Sequence, residues 1–148
     1  MKEPKQDKKS HSKPIFMQKI KTALLSYGMS GKVFHAPFLD LHSGFEITGA
    51  WERSKRLIQS DFPEVKSYAT LEALLQDDCD LVIVNTPVGT HYEYAKQVLL
   101  AGKHAIVEKA FTTTVAEAQE LAALANEKGL QLAVFQNRRW DSDFKTVQ

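Results

Sequence analysis

From Lys19 onward the chain alternates short, apolar, β-rich runs with helix-like stretches, and no turn signal of the hairpin type joins one run to the next. Six runs stand out: "IKTALLS", "FEITGAWE", "VKSY", "DLVIVNT", "KHAIVEK" and "LQLAVFQ". Strands joined by helices and not by hairpins are parallel, because a parallel pair needs a long crossover. The pattern therefore predicts an α/β fold: a single-domain, Rossmann-type, doubly wound parallel sheet with strand order 3-2-1-4-5-6.

Local signals mark the helices between the runs. "GKVFHAPFLDLH" predicts a helix bent or restarted at Pro37. "SKRLIQSDF" predicts a short helix closed by Pro63, and Thr70 is placed to cap the helix in "TLEALLQD". "THYEYAKQVLLAG" ends at Gly102, and "TVAEAQELAALANEKG" combines a Thr114/Glu117 capping box with a stop at Gly129. "DSDFKTVQ" opens a last helix.

A chain of 148 residues, 43% hydrophobic and 25% charged, suits one domain with a real core. The net charge of +1 argues against a dedicated nucleic-acid partner. Residues 1–16 are Lys-rich, carry +3, and are broken by Pro4 and Pro14, which predicts a disordered basic extension ahead of a folded domain at 17–148. The segment lacks the pattern of a secretory leader, and no stretch reaches the ~18 apolar residues of a membrane span, so a cytoplasmic protein with no membrane partner is expected. Cys79 stands alone, which leaves neither a disulfide nor a metal cluster and makes it a small packing residue. His35 and His42 flank an apolar helix face and read as packing or surface residues; His104 opens a strand with no visible partner.

The turn after the first strand, "SYGMSG", fits a G-x-G-x-x-G loop at its second and third glycines, Gly28 and Gly31. Gly28 would let a diphosphate approach the backbone, and Gly31 would let the following helix pack on the sheet with its amides bared. A nucleotide-hydrolase loop is the rival, since Gly31-Lys32 is present. It fails at Ser26, which replaces its first glycine, and at Val33, where a magnesium-binding hydroxyl is required. A tight connection without a ligand is the third reading. Ser26 is strained if the turn needs a positive φ there; otherwise it is harmless, with its hydroxyl free to face phosphate.

The second strand ends "AWERSKR". A carboxylate roughly twenty residues past the glycine turn binds the adenosine ribose of NAD, whereas nearby cations hold the extra phosphate of NADP. Glu52 fills the first role; Arg53, Ser54, Lys55 and Arg56 fill the second, and together they tilt the expectation to NADP over NAD.

Two further stretches, "NTPVGTHYEYAKQVLLAGKHAIVEKA" and "FQNRRWDSDF", carry the motifs NTP-x-x-TH, A-G-K-H-x-x-x-E-K and N-R-R-W-D in order. On these motifs the sequence resembles the Gfo/Idh/MocA oxidoreductases over Lys19 to Gln148, with the closest look to NADP-dependent scyllo-inositol-type dehydrogenases. The resemblance implies an N-terminal nicotinamide-dinucleotide domain and a C-terminal α+β domain that supplies most of the substrate pocket. Carried onto this chain, it puts Tyr27, Gly28, Met29, Ser30 and Gly31 at the pyrophosphate. Glu52, Arg53 and Ser54 fall at the adenosine ribose end. Asn85, Thr86, Pro87 and His91 border the nicotinamide ribose, and Arg138 and Trp140 flank the nicotinamide. Glu108 and Lys109 are the first two residues of an E-K-P motif, with Lys109 the catalytic-site lysine.

The chain departs from the family pattern at three places. Ser26 replaces a glycine. Ala110 replaces the proline of E-K-P; a cis bond before a non-proline residue costs ~2.5–4 kcal/mol, so a trans Lys109–Ala110 bond and a shifted lysine loop are expected. The chain stops just inside the helix after the sixth strand, so the family's C-terminal domain, with its proton acceptor, is expected to be missing. The implied function is the NAD(P)-binding half of an oxidoreductase acting on CH–OH groups of a sugar or inositol-type polyol. Turnover is not expected without the other domain, and self-association through uncovered surface is. The alternative is a stand-alone, non-catalytic dinucleotide-binding module or a degenerate gene fragment.

Overall fold

The computed structural model describes residues 18–52 and 55–147. The expected basic extension, Met17, Arg53, Ser54 and Gln148 lie outside the described residues. Six parallel strands form one sheet: β1 (Ile20–Leu24), β2 (Phe45–Trp51), β3 (Lys66–Tyr68), β4 (Leu81–Val84), β5 (His104–Glu108) and β6 (Leu132–Phe135). Their order is β3-β2-β1-β4-β5-β6, as the pattern of crossovers predicts. Strand order reverses between β1 and β4, which pair through Thr22–Leu81, Ala23–Val82 and Leu24–Ile83.

Alternate residues of the central strands serve two cores. Val82, Val84 and Val107 pack with Leu74, Val98, Leu99 and Leu121 from α3 (Leu71–Gln76), α4 (His91–Leu100) and α5 (Val115–Lys128). On the other face Leu24 and Ala50 pack with Tyr27, Ala36 and Ile58, the last two from α1 (Ala36–Leu41) and α2 (Ile58–Asp61). Each fully buried aliphatic side chain contributes about 1.5–3 kcal/mol, so the two layers, and not local helix propensity, hold these short helices in place.

Local signals are realised where they are strongest. Thr70 Oγ1 accepts the Ala73 amide at 3.2 Å. Thr114 and Glu117 form a reciprocal capping box, and Gly129 closes α5 at φ +66°. The segment after the glycine turn is a wide π-helical turn over Ser30–His35, with α1 restarting at Ala36 and Pro37 in its first turn, where a missing N–H costs nothing. α2 is shorter than its sequence suggests and begins at Ile58, for a reason given below. α6 (Ser142–Thr146) follows a 3-10 turn over Asn137–Trp140.

Candidate functional site: a crevice at the carboxyl edge of the sheet

Two adjoining cavities open at the carboxyl ends of the strands, where the strand order reverses. The first, about 450 Å3, is bounded by Ser26, Gly28, Glu52, Lys55 and Pro87. The second, about 310 Å3, is bounded by Met29, Ser30, Asn85, Glu108 and Lys109. Thr86 lines both, so the two form one elongated crevice. Ligands of doubly wound sheets bind at this reversal point.

The glycine turn forms the crevice floor. No non-glycine residue among those described has a positive φ, so Ser26 sits in ordinary backbone and carries no strain. Its Oγ accepts the Gly28 amide at 3.2 Å, which folds the turn locally. Asn85 Nδ2 donates to the Ser26 carbonyl at 2.8 Å and pins this turn to the end of β4. Gly31 is required by contact: a Cβ there would lie 2.4 Å from the Ser26 carbonyl oxygen. Asn85 is 6% exposed, and its Oδ1 is buried without a hydrogen-bond partner. An orphaned amide oxygen in a cavity wall is an acceptor available to a ligand donor.

Tyr27 borders the first cavity but packs into the α1–α2 core, where its hydroxyl donates to Asp61 Oδ2 at 3.0 Å. Burial pushes its phenol well above the ordinary range, with the Asp61 carboxylate adding to the effect. Asp61 also pairs with Lys32 at 2.8 Å, which fastens α2 to the π-helical turn.

Glu52 is committed elsewhere. Its Oε1 accepts the Leu57 amide at 2.8 Å, and its Oε2 accepts the Ile58 amide at 3.2 Å and the Ser67 hydroxyl at 3.1 Å. The carboxylate caps α2, which explains where that helix starts, and three of its roughly four lone-pair sites are filled by the protein. Lys55 lines the same cavity, and Leu57 and Trp51 complete its wall.

At the other end Glu108 gathers three groups. Ser30 Oγ donates to Oε1 at 2.6 Å, His35 Nε2 donates to the same oxygen at 2.9 Å, and the Lys109 amide approaches Oε2 at 3.3 Å. Burial pushes the Glu108 carboxyl up, but the hydrogen bonds from Ser30 and His35 outweigh it and hold it below its ordinary value. His35 is 4% exposed and lies against the Phe135 ring at 4.4 Å. Burial pushes its titration down, and the Glu108 bond opposes this only in part. His35 is thus the packing residue expected, with a polar partner that sequence reading missed.

Three expectations are corrected. The Lys109–Ala110 bond is cis, not trans, and Lys109 lines the crevice beside Ser30 and Asn85. The Ala110 carbonyl that follows is held by His91 at 2.8 Å. His91 does not border the crevice with its ring: it is 1% exposed, with both ring nitrogens against backbone carbonyls. His104, expected to lack a partner, accepts the Gln131 amide on Nδ1 at 3.0 Å.

Arg138 lines the Lys109 end and pairs with Asp141 at 2.8 Å. Trp140 is 73% exposed and lines an adjoining apolar groove of about 590 Å3, walled by Phe38, Phe45, Ile106 and Phe135, that shares Phe34, Asn137 and Arg138 with the Lys109 end of the crevice. Asn137 lies between crevice and groove and was missed, although it directly precedes the arginine pair of N-R-R-W-D. Phe34, also missed, had only the appearance of an apolar helix position. No helix among the described residues is long and apolar enough to cross a membrane.

Similarity to known proteins covers most of the chain. Residues 20–136 match the GFO_IDH_MocA model, described as an oxidoreductase family with an NAD-binding Rossmann fold. The scyllo-inositol 2-dehydrogenase (NADP(+)) IolW of Bacillus subtilis is 42% identical over 130 residues, 87% of this chain and 36% of that protein. An uncharacterized oxidoreductase of Schizosaccharomyces pombe is 48% identical over 138 residues, covering 89% and 37%. Among solved structures, GenD2 from gentamicin A biosynthesis, in complex with NAD, superposes with a TM-score of 0.81 at 30% identity, covering 87% of this chain and 38% of that one. The chain thus spans little more than a third of the length of the curated relatives it matches. It belongs to the Gfo/Idh/MocA oxidoreductase family and carries that family's NAD-binding Rossmann domain.

Proposed function

We propose that the chain is the cofactor-binding half of an NADP(H)-dependent oxidoreductase that acts on a secondary alcohol of a sugar or inositol-type polyol. The observation that carries this reading is the single crevice in which Thr86 joins a wall of Ser26, Gly28 and Lys55 to a wall of Asn85 and Lys109. A dinucleotide has the same layout: an adenosine end, a diphosphate and a nicotinamide end.

In this reading the amides of Met29, Ser30 and Gly31 meet the diphosphate, and Gly28, with no side chain, lets it approach the backbone. Asn85 Oδ1, buried and unpartnered, accepts a ribose hydroxyl, with Thr86 and Pro87 alongside. Arg138 closes the nicotinamide end, while Trp140 lines the neighbouring groove. The preference for NADP(H) follows from Glu52, whose oxygens cap α2 and so compete poorly for a ribose diol. Lys55, with Arg53, Ser54 and Arg56, then answers a 2′-phosphate.

The nicotinamide supplies hydride transfer. Lys109 supplies positive charge where the alcohol oxygen becomes alkoxide-like, which stabilises the transition state more than the ground state. Glu108 is engaged by Ser30 and His35, so it is a poor proton acceptor in the same pocket. The proton acceptor is therefore proposed to come from outside these residues, and the 148 residues alone bind cofactor without turnover. The uncovered groove beside Trp140 favours self-association of the isolated chain. Action in the cytoplasm accords with Cys79, a buried free thiol.

Fluorescence of Trp51 and Trp140, titrated with NADPH and with NADH, tests the reading. Trp51 borders the adenosine cavity, so saturable quenching is expected at lower concentration with NADPH. Equal affinity would overturn the NADP(H) assignment, and no response to either nucleotide would overturn the cofactor reading.

A further inference from the structure

His91 is the first residue of α4 and is 1% exposed. Its Nδ1 lies 2.8 Å from the Ala110 carbonyl oxygen, and its Nε2 lies 2.7 Å from the Thr86 carbonyl oxygen. These two acceptors belong to the two loops that wall the Lys109 end of the crevice. Thr86 leads from β4 and Ala110 directly follows Lys109. The link spans 24 residues of sequence between the loops and passes beneath the cavity, not through it.

Carbonyl oxygens only accept, so each contact requires a hydrogen on the facing ring nitrogen. A neutral imidazole carries one N–H and donates to one of the two carbonyls; since His91 itself follows the Thr86 loop in the chain, a bond to Ala110 alone already joins the two loops. The first turn of α4 also carries Glu93, and the β5 loop carries Glu108 and Lys109 beside Ala110.

We propose that His91 is a positioning residue: a buried staple set between the Thr86 and Ala110 carbonyls that holds the two loops together and thereby sets where Lys109 stands relative to the nicotinamide end of the crevice. The staple is a property of the chain itself; its consequence for cofactor rests on the function proposed above. It replaces the direct ribose contact expected from the sequence, and it explains why a polar ring is buried at the start of α4 among apolar neighbours. Ala95, Val98 and Leu99 of the same helix are all buried aliphatic residues.

The test has two arms. In the first, nitrogen-detected NMR of the unmodified chain reads the ring of His91. A slowly exchanging ring N–H, correlated across a hydrogen bond to the Ala110 or the Thr86 carbonyl, is expected. A ring N–H that exchanges rapidly, or that correlates with neither carbonyl, overturns the staple. In the second arm, His91→Gln is compared with the unmodified chain for binding of NADPH and of adenosine 2′,5′-bisphosphate, which fills only the adenosine end. NADPH affinity is expected to fall about tenfold while the bisphosphate changes by less than about twofold. Equal losses for both ligands, or no loss for either, overturn the positioning role. If the unmodified chain binds the bisphosphate but not NADPH, or binds neither, the cofactor reading fails, and the NMR arm still decides the staple.

Discussion

The Glu108 carboxylate receives the Ser30 hydroxyl at 2.6 Å across 78 residues of sequence, and that bond joins the end of β5 to the turn after β1. His35 reaches the same oxygen from five residues further along. Glu108 thereby does two things at once: it anchors the proposed diphosphate turn, and it orders the backbone leading into Lys109. Glu108→Ala should cost about 2 kcal/mol in stability, because it strands a buried imidazole and a hydroxyl. Urea unfolding checks this. Glu108→Gln, which keeps an acceptor, should recover part of the loss.

The same pair sets a pH dependence. His35 titrates below its ordinary value of 6.5, so its contribution is complete above that value and falls as pH drops, since the unfolded ring takes a proton first. Glu108 titrates below its ordinary value of 4.5, so its contribution holds above 4.5 and is lost as pH falls further. Denaturation midpoints should therefore decline in two stages on acidification. His35→Phe should flatten the first stage and leave the turn at lower pH in place.

Gly31 tests the close approach of turn and strand. A methyl group at this position meets the Ser26 carbonyl at 2.4 Å, and backbone cannot yield as a side-chain tip does. Gly31→Ala should destabilise the chain by about 1–3 kcal/mol and weaken nucleotide binding with it. Gly28→Ala should be milder for stability, since its Cβ would stand 3.5 Å from Ser26 Oγ, an ordinary contact. Paired thermal scans of the two variants make the comparison.

Cofactor choice turns on Glu52 and Lys55. Lys55→Ala should weaken NADPH binding about tenfold and leave NADH nearly unchanged. Glu52→Gln should lower stability by about 1 kcal/mol through loss of the α2 cap, without a matching loss of NADH affinity. A large NADH-specific loss in Glu52→Gln would mean that the carboxylate serves the ribose after all. Titration calorimetry with both nucleotides separates these outcomes.

Sequence made the sheet legible because its signals are local and repeated. The apolar runs, the Thr114/Glu117 box and the glycine stops each act within a few residues, and the parallel pairing of the sheet follows from the absence of hairpins. The crevice was legible in outline for the same reason: a glycine turn and the strand ends after β4 and β5 must meet at the reversal point. What the sequence hid was the destination of its polar atoms. Glu52 stands where a ribose acceptor belongs, yet folding gives it three donors of its own. His91 sits in a motif at the crevice and is turned inward by two carbonyls. The Lys109–Ala110 bond is cis where alanine argued for trans. Each of these depends on partners 5 to 19 residues distant, or on loop geometry that periodicity does not encode.

Amide NMR of the isotopically labelled chain during NADPH addition tests the crevice most directly. If the crevice holds the dinucleotide, the amides of Gly28, Met29, Ser30 and Gly31 and the Asn85 side-chain amide shift together and saturate at one concentration, with Lys109 moving in step. Saturation that leaves residues 28–31 unmoved, or shifts confined to the groove around Phe38 and Trp140, would contradict it.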